Sequence, residues 1–190
     1  MRCFISINLP ETLRKDIHGA IEVMKKGNAD VKWVPADNLH ITLKFLGNTD
    51  EDIARQLEGR LSALAGSHHS FRINLRGIGV FPDSKRPRVV WIGLLDTEAL
   101  RKLQRDVEQT AGTAGFADED RPFSPHLTIG RIRSSAGKSY LIKSVEALKE
   151  RDFGNIEVNT FSLMKSDLKP TGAQYTTLAE FHLKRRSNDQ

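Results

Sequence analysis

The sequence predicts an α+β fold, and three observations carry that prediction. Stretches with an apolar residue at every second position are mixed along the chain with stretches whose apolar residues recur every three or four, the marks of strand and of amphipathic helix. Four helices are set against about eight strands, which argues for antiparallel sheets with helices rather than a doubly wound parallel sheet. No Gly/Ser linker and no low-complexity tract divides the 190 residues, so they suit one large domain, or two small lobes sharing a core.

The elements follow in order. Residues 2–9 alternate as a strand, and 11–26 then carry Leu13, Ile17, Ala20, Ile21 and Met24 at helical spacing, with Gly27 placed to stop the helix. Two strand-like pieces come next, at 31–34 and 39–46. A second helix begins near Asp50, with Ile53, Leu57, Leu61 and Leu64 on one face and Gly66 at its end. Strands at 71–75 and 89–95 are separated by a loop containing Gly and Pro, and a third helix over 97–111 buries Leu100, Leu103 and Val107. Strand 124–132 leads through Ser134-Ser135-Ala136-Gly137 to a fourth helix with Leu141, Val145 and Leu148 inward. Two last strands, 156–164 and 175–183, are joined by the turn-rich Leu168-Lys169-Pro170-Thr171-Gly172.

A hydrophobic content of 38% is enough to bury a core. No stretch approaches the roughly 20 apolar residues that span a bilayer, and the apolar run in MRCFISINLP is too short for a secretory signal, so no membrane and a cytoplasmic location are expected. The single Cys3 has no partner in the chain and reads as packing in a reducing compartment. The net charge of +5 favours a phosphate-bearing partner without demanding one. Lys85-Arg86-Pro87-Arg88 and Lys184-Arg185-Arg186 hold part of the excess, and short basic runs read by default as a solvated loop and tail.

The informative feature is a repeat. His40-Ile41-Thr42-Leu43 and His126-Leu127-Thr128-Ile129 place two of the six histidines in the same frame, once in each half. Side chains alternate along a strand, so Leu39, Ile41, Leu43 and Phe45 form an apolar face, and His40, Thr42 and Lys44 point the other way. In the second copy Pro125, Leu127 and Ile129 back His126 and Thr128. Either histidine alone reads as a packed strand residue; paired in one frame, they read as chemistry. Imidazole titrates near neutrality, so one neutral and one protonated copy serve as general base and general acid. Threonine hydroxyls donate to the non-bridging oxygens of a phosphate. The combination points to a phosphodiesterase working without a metal or other cofactor: neither motif brings Asp, Glu or Cys at close spacing, as a zinc site would need, and no Gly-x-Ser-x-Gly elbow occurs.

At these residues the chain resembles the 2H phosphoesterase superfamily, and within it the RNA 2′,3′-cyclic phosphodiesterases formerly called 2′-5′ RNA ligases. Arg2-Cys3-Phe4-Ile5-Ser6-Ile7, Trp33-Val34, Asn38-Leu39-His40-Ile41-Thr42-Leu43-Lys44-Phe45-Leu46-Gly47, Phe123-Ser124-Pro125-His126-Leu127-Thr128, Leu163-Met164-Lys165-Ser166 and Gly172-Ala173-Gln174-Tyr175-Thr176 carry the resemblance nearly from end to end. It implies a single domain over 1–190, made of two intertwined, pseudo-symmetric lobes. Each lobe is an antiparallel sheet backed by helices, and the motifs face each other across a central cleft. It also implies hydrolysis of a terminal 2′,3′-cyclic phosphate to the 2′-phosphate, with the 3′ oxygen leaving. His126 then draws the proton from water, His40 protonates the leaving oxygen, and Thr42 and Thr128 hold the phosphate. Arg131 resembles a basic residue that the family places near the phosphate. Strand parity counted from His126 puts it on the wrong face unless the strand bulges or ends near Gly130.

The resemblance implies RNA with 2′,3′-cyclic phosphate ends, or cyclic nucleotides, as partners; a monomer is the default. Two other functions compete: 2′-5′ RNA ligation at the same site, and RNA-end binding without turnover, against which the intact histidines and threonines count. Lys85, Arg86 and Arg88 suit an RNA-contacting loop in any of these, and stacking on the terminal base is open among Trp33, Phe45, Phe81 and Phe123.

Overall fold

The computed structural model describes residues 1–186. They form β1 (Arg2–Asn8), α1 (Glu11–Lys25), β2 (Val31–Trp33), a 3-10 turn (Ala36–Asn38), β3 (His40–Asn48), α2 (Glu51–Ala65), β4 (Phe71–Phe81), β5 (Val89–Leu95), α3 (Glu98–Thr113), β6 (His126–Ile132), α4 (Lys138–Ala147), β7 (Asp152–Val158), β8 (Thr160–Lys169) and β9 (Gly172–His182). The strands make two sheets, one in the order β3-β1-β8-β9 and the other in the order β2-β6-β5-β4-β7. Every pairing within them is antiparallel. The α+β expectation therefore holds, with one His-x-Thr strand in each sheet.

Three local expectations need correction. The single strand expected over 156–164 is two strands in different sheets, β7 against β4 and β8 against β1. The chain changes sheets at Asn159, whose carbonyl accepts from Leu183 N at 2.8 Å, and no Gly or Pro marks the spot. β4 runs on to Phe81, well past Leu75, because a shift of register between Arg76 and Ile78 lets the strand absorb Gly77 as a bulge. On α2 the buried stripe is Ala54, Leu57, Leu61 and Ala65, with Ile53 37% exposed, one position away from the face assumed for it.

The helices are exchanged between the sheets. α1 leaves β1 of the first sheet but packs on α4 and β7 of the second; α3 leaves β5 of the second sheet but packs on α2 and β3 of the first, and also touches β4. α2 lies on β9 and α4 on β4. The first sheet is thus covered by α2 and α3, and the second by α1 and α4. The periodic apolar stripes close a single hydrophobic cluster in which Ile17, Leu57, Leu61, Leu103, Val107 and Leu141 are fully buried against sheet residues such as Ile5, Ile41, Ile92 and Leu127. Burying each such side chain contributes about 1.5–3 kcal/mol, which anchors the back of both motif strands.

Candidate active site

The two motif strands, β3 and β6, approach each other at the meeting of the sheets. Each presents its histidine and threonine away from the core: Ile41, Leu127 and Ile129 are completely buried, whereas His40, Thr42, His126 and Thr128 are half-buried. This follows from strand alternation as far as the first bulge of each strand.

Both histidines are held in one way. The Nδ1 of His40 lies 2.7 Å from the carbonyl oxygen of Asn38, and the Nδ1 of His126 lies 2.7 Å from that of Ser124. A carbonyl only accepts, so in each ring Nδ1 carries the proton and Nε2 is the nitrogen left for chemistry. In the first motif Nε2 meets the Thr42 hydroxyl at 3.0 Å. The brace is local, two residues back along the chain, and so comes with the bend into each strand.

The surroundings of the two rings differ. His40 sits in an aromatic corner, with the Phe4 ring 4.9 Å and the Tyr175 ring 5.4 Å away, centre to centre. Burial there holds its pKa below the usual histidine value, opposed by the hydrogen bond to Asn38. Burial likewise pushes the Tyr175 hydroxyl up, and the Arg131 charge pulls it back. The Phe81 ring stands perpendicular to that of His126 at 5.6 Å and lies 5.1 Å from that of Trp91, centre to centre. A cavity of about 250 Å³ opens beside His40, with Phe4, Met164, Tyr175, Arg14 and Asn38 among its walls.

Bulges decide which further residues face the cleft. On β6, Thr128 pairs with Trp91, but Gly130 pairs with Val90 and Arg131 with Val89; the shift falls at Ile129. Parity reverses there, so Arg131 comes onto the face of His126 and Thr128. On β3, Thr42 pairs with Ser6 and Lys44 with Ile5, so the shift falls at Leu43 and turns Lys44 inward. The assignment of Lys44 to the polar face and Phe45 to the apolar face is therefore reversed: Lys44 is 2% exposed and Phe45 60%. Lys44 Nζ donates to Glu108 Oε1 at 2.5 Å and to the Ala117 carbonyl at 2.9 Å, and Glu119 N donates to the same carboxylate oxygen at 2.9 Å. A buried ammonium needs such partners, and here they tie β3 to α3 and to the segment entering β6.

Of the aromatic candidates, Phe81 touches His126. Trp33 lies against Gly130, its ring about 2.9 Å from where a β-carbon would be, on the face opposite Arg131. Phe123 is half-buried against the core, and Phe45 lies 6.4 Å from Phe4 at the outer part of the strand. Lys85, Arg86 and Arg88 are exposed in the loop after Phe81, where Asp83 Oδ1 accepts from the backbone N of Lys85 and of Arg86. Phe4 and Tyr175 were not singled out from the sequence as neighbours of His40, nor Trp91 as a neighbour of Phe81; only their place among the quoted resembling segments pointed to the first two.

A family model described as the 2′-5′ RNA ligase superfamily matches residues 10–170. The RNA 2′,3′-cyclic phosphodiesterase of Methanothermobacter thermautotrophicus is 34% identical over 183 residues, covering 96% of this chain and 99% of the relative. That of Methanocaldococcus jannaschii is 36% identical over 182 residues, covering 95% and 100%. Among solved structures, E. coli LigT complexed with 3′-AMP superposes with a TM-score of 0.74 at 30% identity, covering 96% of this chain and 97% of LigT.

Proposed function

The chain belongs to the 2′-5′ RNA ligase superfamily, and on that premise we propose that it hydrolyses 2′,3′-cyclic phosphate ends of RNA, and nucleoside 2′,3′-cyclic phosphates, to 2′-phosphomonoesters without a metal or other cofactor. Water attacks phosphorus and the bond from phosphorus to O3′ breaks. His126 Nε2 takes the proton from the water, and His40 Nε2 gives one to O3′. Thr42 and Thr128 donate hydrogen bonds to the non-bridging oxygens, and Arg131 offsets the charge that builds there.

The observation that carries this reading is the matched brace: each histidine spends Nδ1 on the carbonyl two residues before it, so both Nε2 atoms are left to exchange protons. His40 is held toward its neutral form by burial; an anionic phosphate arriving beside it favours protonation and arms it as the acid. The parity reversal at Ile129 and the influence of the Arg131 charge on Tyr175 support Arg131 as a phosphate ligand.

The one-motif-per-sheet layout and the exchanged helices, seen over the described residues 1–186, support a single domain of two intertwined lobes. Among the described residues no helix is long and apolar enough to cross a membrane. The protein acts as a monomer in the cytoplasm on RNA ends, and size-exclusion chromatography with light scattering checks the monomer.

The deciding experiment follows an oligonucleotide ending in a 2′,3′-cyclic phosphate in excess EDTA, with the wild type, His40→Ala and His126→Ala, and resolves 2′- from 3′-phosphate. A 2′-phosphate made without metal and lost by ~10²-fold or more in each variant supports the pair as acid and base. RNA that binds and keeps its cyclic phosphate refutes the hydrolase and leaves ligation, tested by adding a strand with a 5′ hydroxyl, or simple binding.

A further inference from the structure

An in-line displacement sets the entering water and the leaving oxygen on opposite sides of phosphorus. In a 2′,3′-cyclic phosphate, O2′ and O3′ belong to the same ribose, so the terminal nucleoside lies on the side of whichever group protonates O3′. With His40 in that role, the nucleoside sits beside His40, within a ribose's reach of the 250 Å³ cavity there. The cavity's walls suit a base: Phe4, Met164 and Tyr175 give aromatic and apolar surface, and Asn8, Arg14, Asp37, Asn38 and Thr177 supply polar groups.

Arg14 is the group with something to say about which base. It projects from α1 and is fixed from outside by Asp37, whose Oδ1 is 3.0 Å from Nη1; its Nε is buried without a partner. A guanidinium only donates. Guanine offers it two adjacent acceptors, N7 and O6, whereas adenine replaces O6 with the N6 amino group, itself a donor. Asn38, also in the lining, gives one amide N–H to the Ala173 carbonyl at 2.8 Å and keeps Oδ1 as an acceptor.

We propose that this cavity receives the base of the terminal nucleoside and that Arg14 selects guanine over adenine there. The inference rests on the hydrolase reading with His40 as the group that protonates O3′.

The test joins binding to turnover. Calorimetric titration of guanosine 2′-phosphate and adenosine 2′-phosphate into the wild type and Arg14→Met measures the preference without any reaction, and kcat/KM for the two nucleoside 2′,3′-cyclic phosphates measures it with one. The wild type should favour guanosine by about 5- to 100-fold, and the Arg14→Met ratio should fall to within about threefold of unity. Equal affinities in the wild type, a ratio that survives Arg14→Met, or no binding of either nucleotide overturns the proposal. Selective binding with no hydrolysis defeats the hydrolase reading and keeps the base site, whereas hydrolysis blind to the base does the reverse.

Discussion

Lys44 sits two residues beyond Thr42, and replacing it with methionine keeps most of its stem while removing the charge. Its side chain is 1% exposed and that of its partner Glu108 18%, with 2.5 Å between the charged atoms. At an effective dielectric constant of 20 the attraction is about 6–7 kcal/mol, most of it cancelled by taking both ions out of water. The measurable consequence comes from the half-broken pair. With Lys44→Met, Glu108 keeps a carboxylate whose Oε2 already has no partner and whose Oε1 retains only Glu119 N. Leaving a buried charge in that condition costs about 3–5 kcal/mol, a large part of the roughly 5–15 kcal/mol that holds a domain together. Urea denaturation should therefore show a much lower midpoint for Lys44→Met at unchanged slope, and the double variant Lys44→Met/Glu108→Leu should regain most of the loss, because no unpaired charge remains. A single variant within 1 kcal/mol of the wild type, or a double variant no better than the single, would refute the reasoning.

Four further outcomes are expected. His40 has a folded pKa below its ordinary value of about 6.5, so between those values the unfolded chain takes up a proton and the fold does not. Its contribution to stability is present above pH ~6.5 and lost as pH falls through the folded value, and His40→Gln should flatten that part of the stability curve measured by urea titration from pH 5 to 8. Thr42→Val should lower kcat for a cyclic phosphate by about 10²-fold while Thr42→Ser keeps most of it, and equal losses in both would point away from the hydroxyl. With a p-nitrophenyl phosphodiester, whose leaving group needs no proton, His40→Ala should lose far less activity than on a cyclic phosphate, while His126→Ala loses as much on both; the opposite pattern exchanges the acid and base roles. Gly79→Ala places a β-carbon about 2.2 Å from Trp91 Cζ2, so it should displace the indole from beside Phe81, change the tryptophan emission and cost about 1–3 kcal/mol.

The sequence was most legible where a pattern stays within one strand or helix. Ile41 and Leu127 were read correctly as the buried backs of His40 and His126, because alternation needs no knowledge of the neighbouring strand. Lys44 and Arg131 lie just past a bulge, and a bulge is a mismatch between two strands far apart in sequence; Gly130 marks where the second could fall, whereas nothing in Leu43 announces the first. Tyr175 reaches His40 from the other end of the chain, across β1 and β8, so its place follows from sheet order alone. The missed crossing at Asn159 has the same origin: an unbroken β-like run tells that it is strand without telling which sheet each half will join.

The packing of α1 on β7 and of α3 on β3 makes the two halves of the chain depend on each other for their layers. Neither half of the chain owns a complete set of layers: residues of the first half, freed from the second, would leave β1 and β3 without α3 and α1 without the sheet that it covers. Limited proteolysis in the exposed loop at Lys85 and Arg86 should thus yield two fragments that stay together until denaturant is added, and refold only when mixed. The spacing between the two imidazoles is then a property of the whole fold rather than of a hinge, so conditions that loosen one sheet should abolish turnover in the same cooperative step that melts the other.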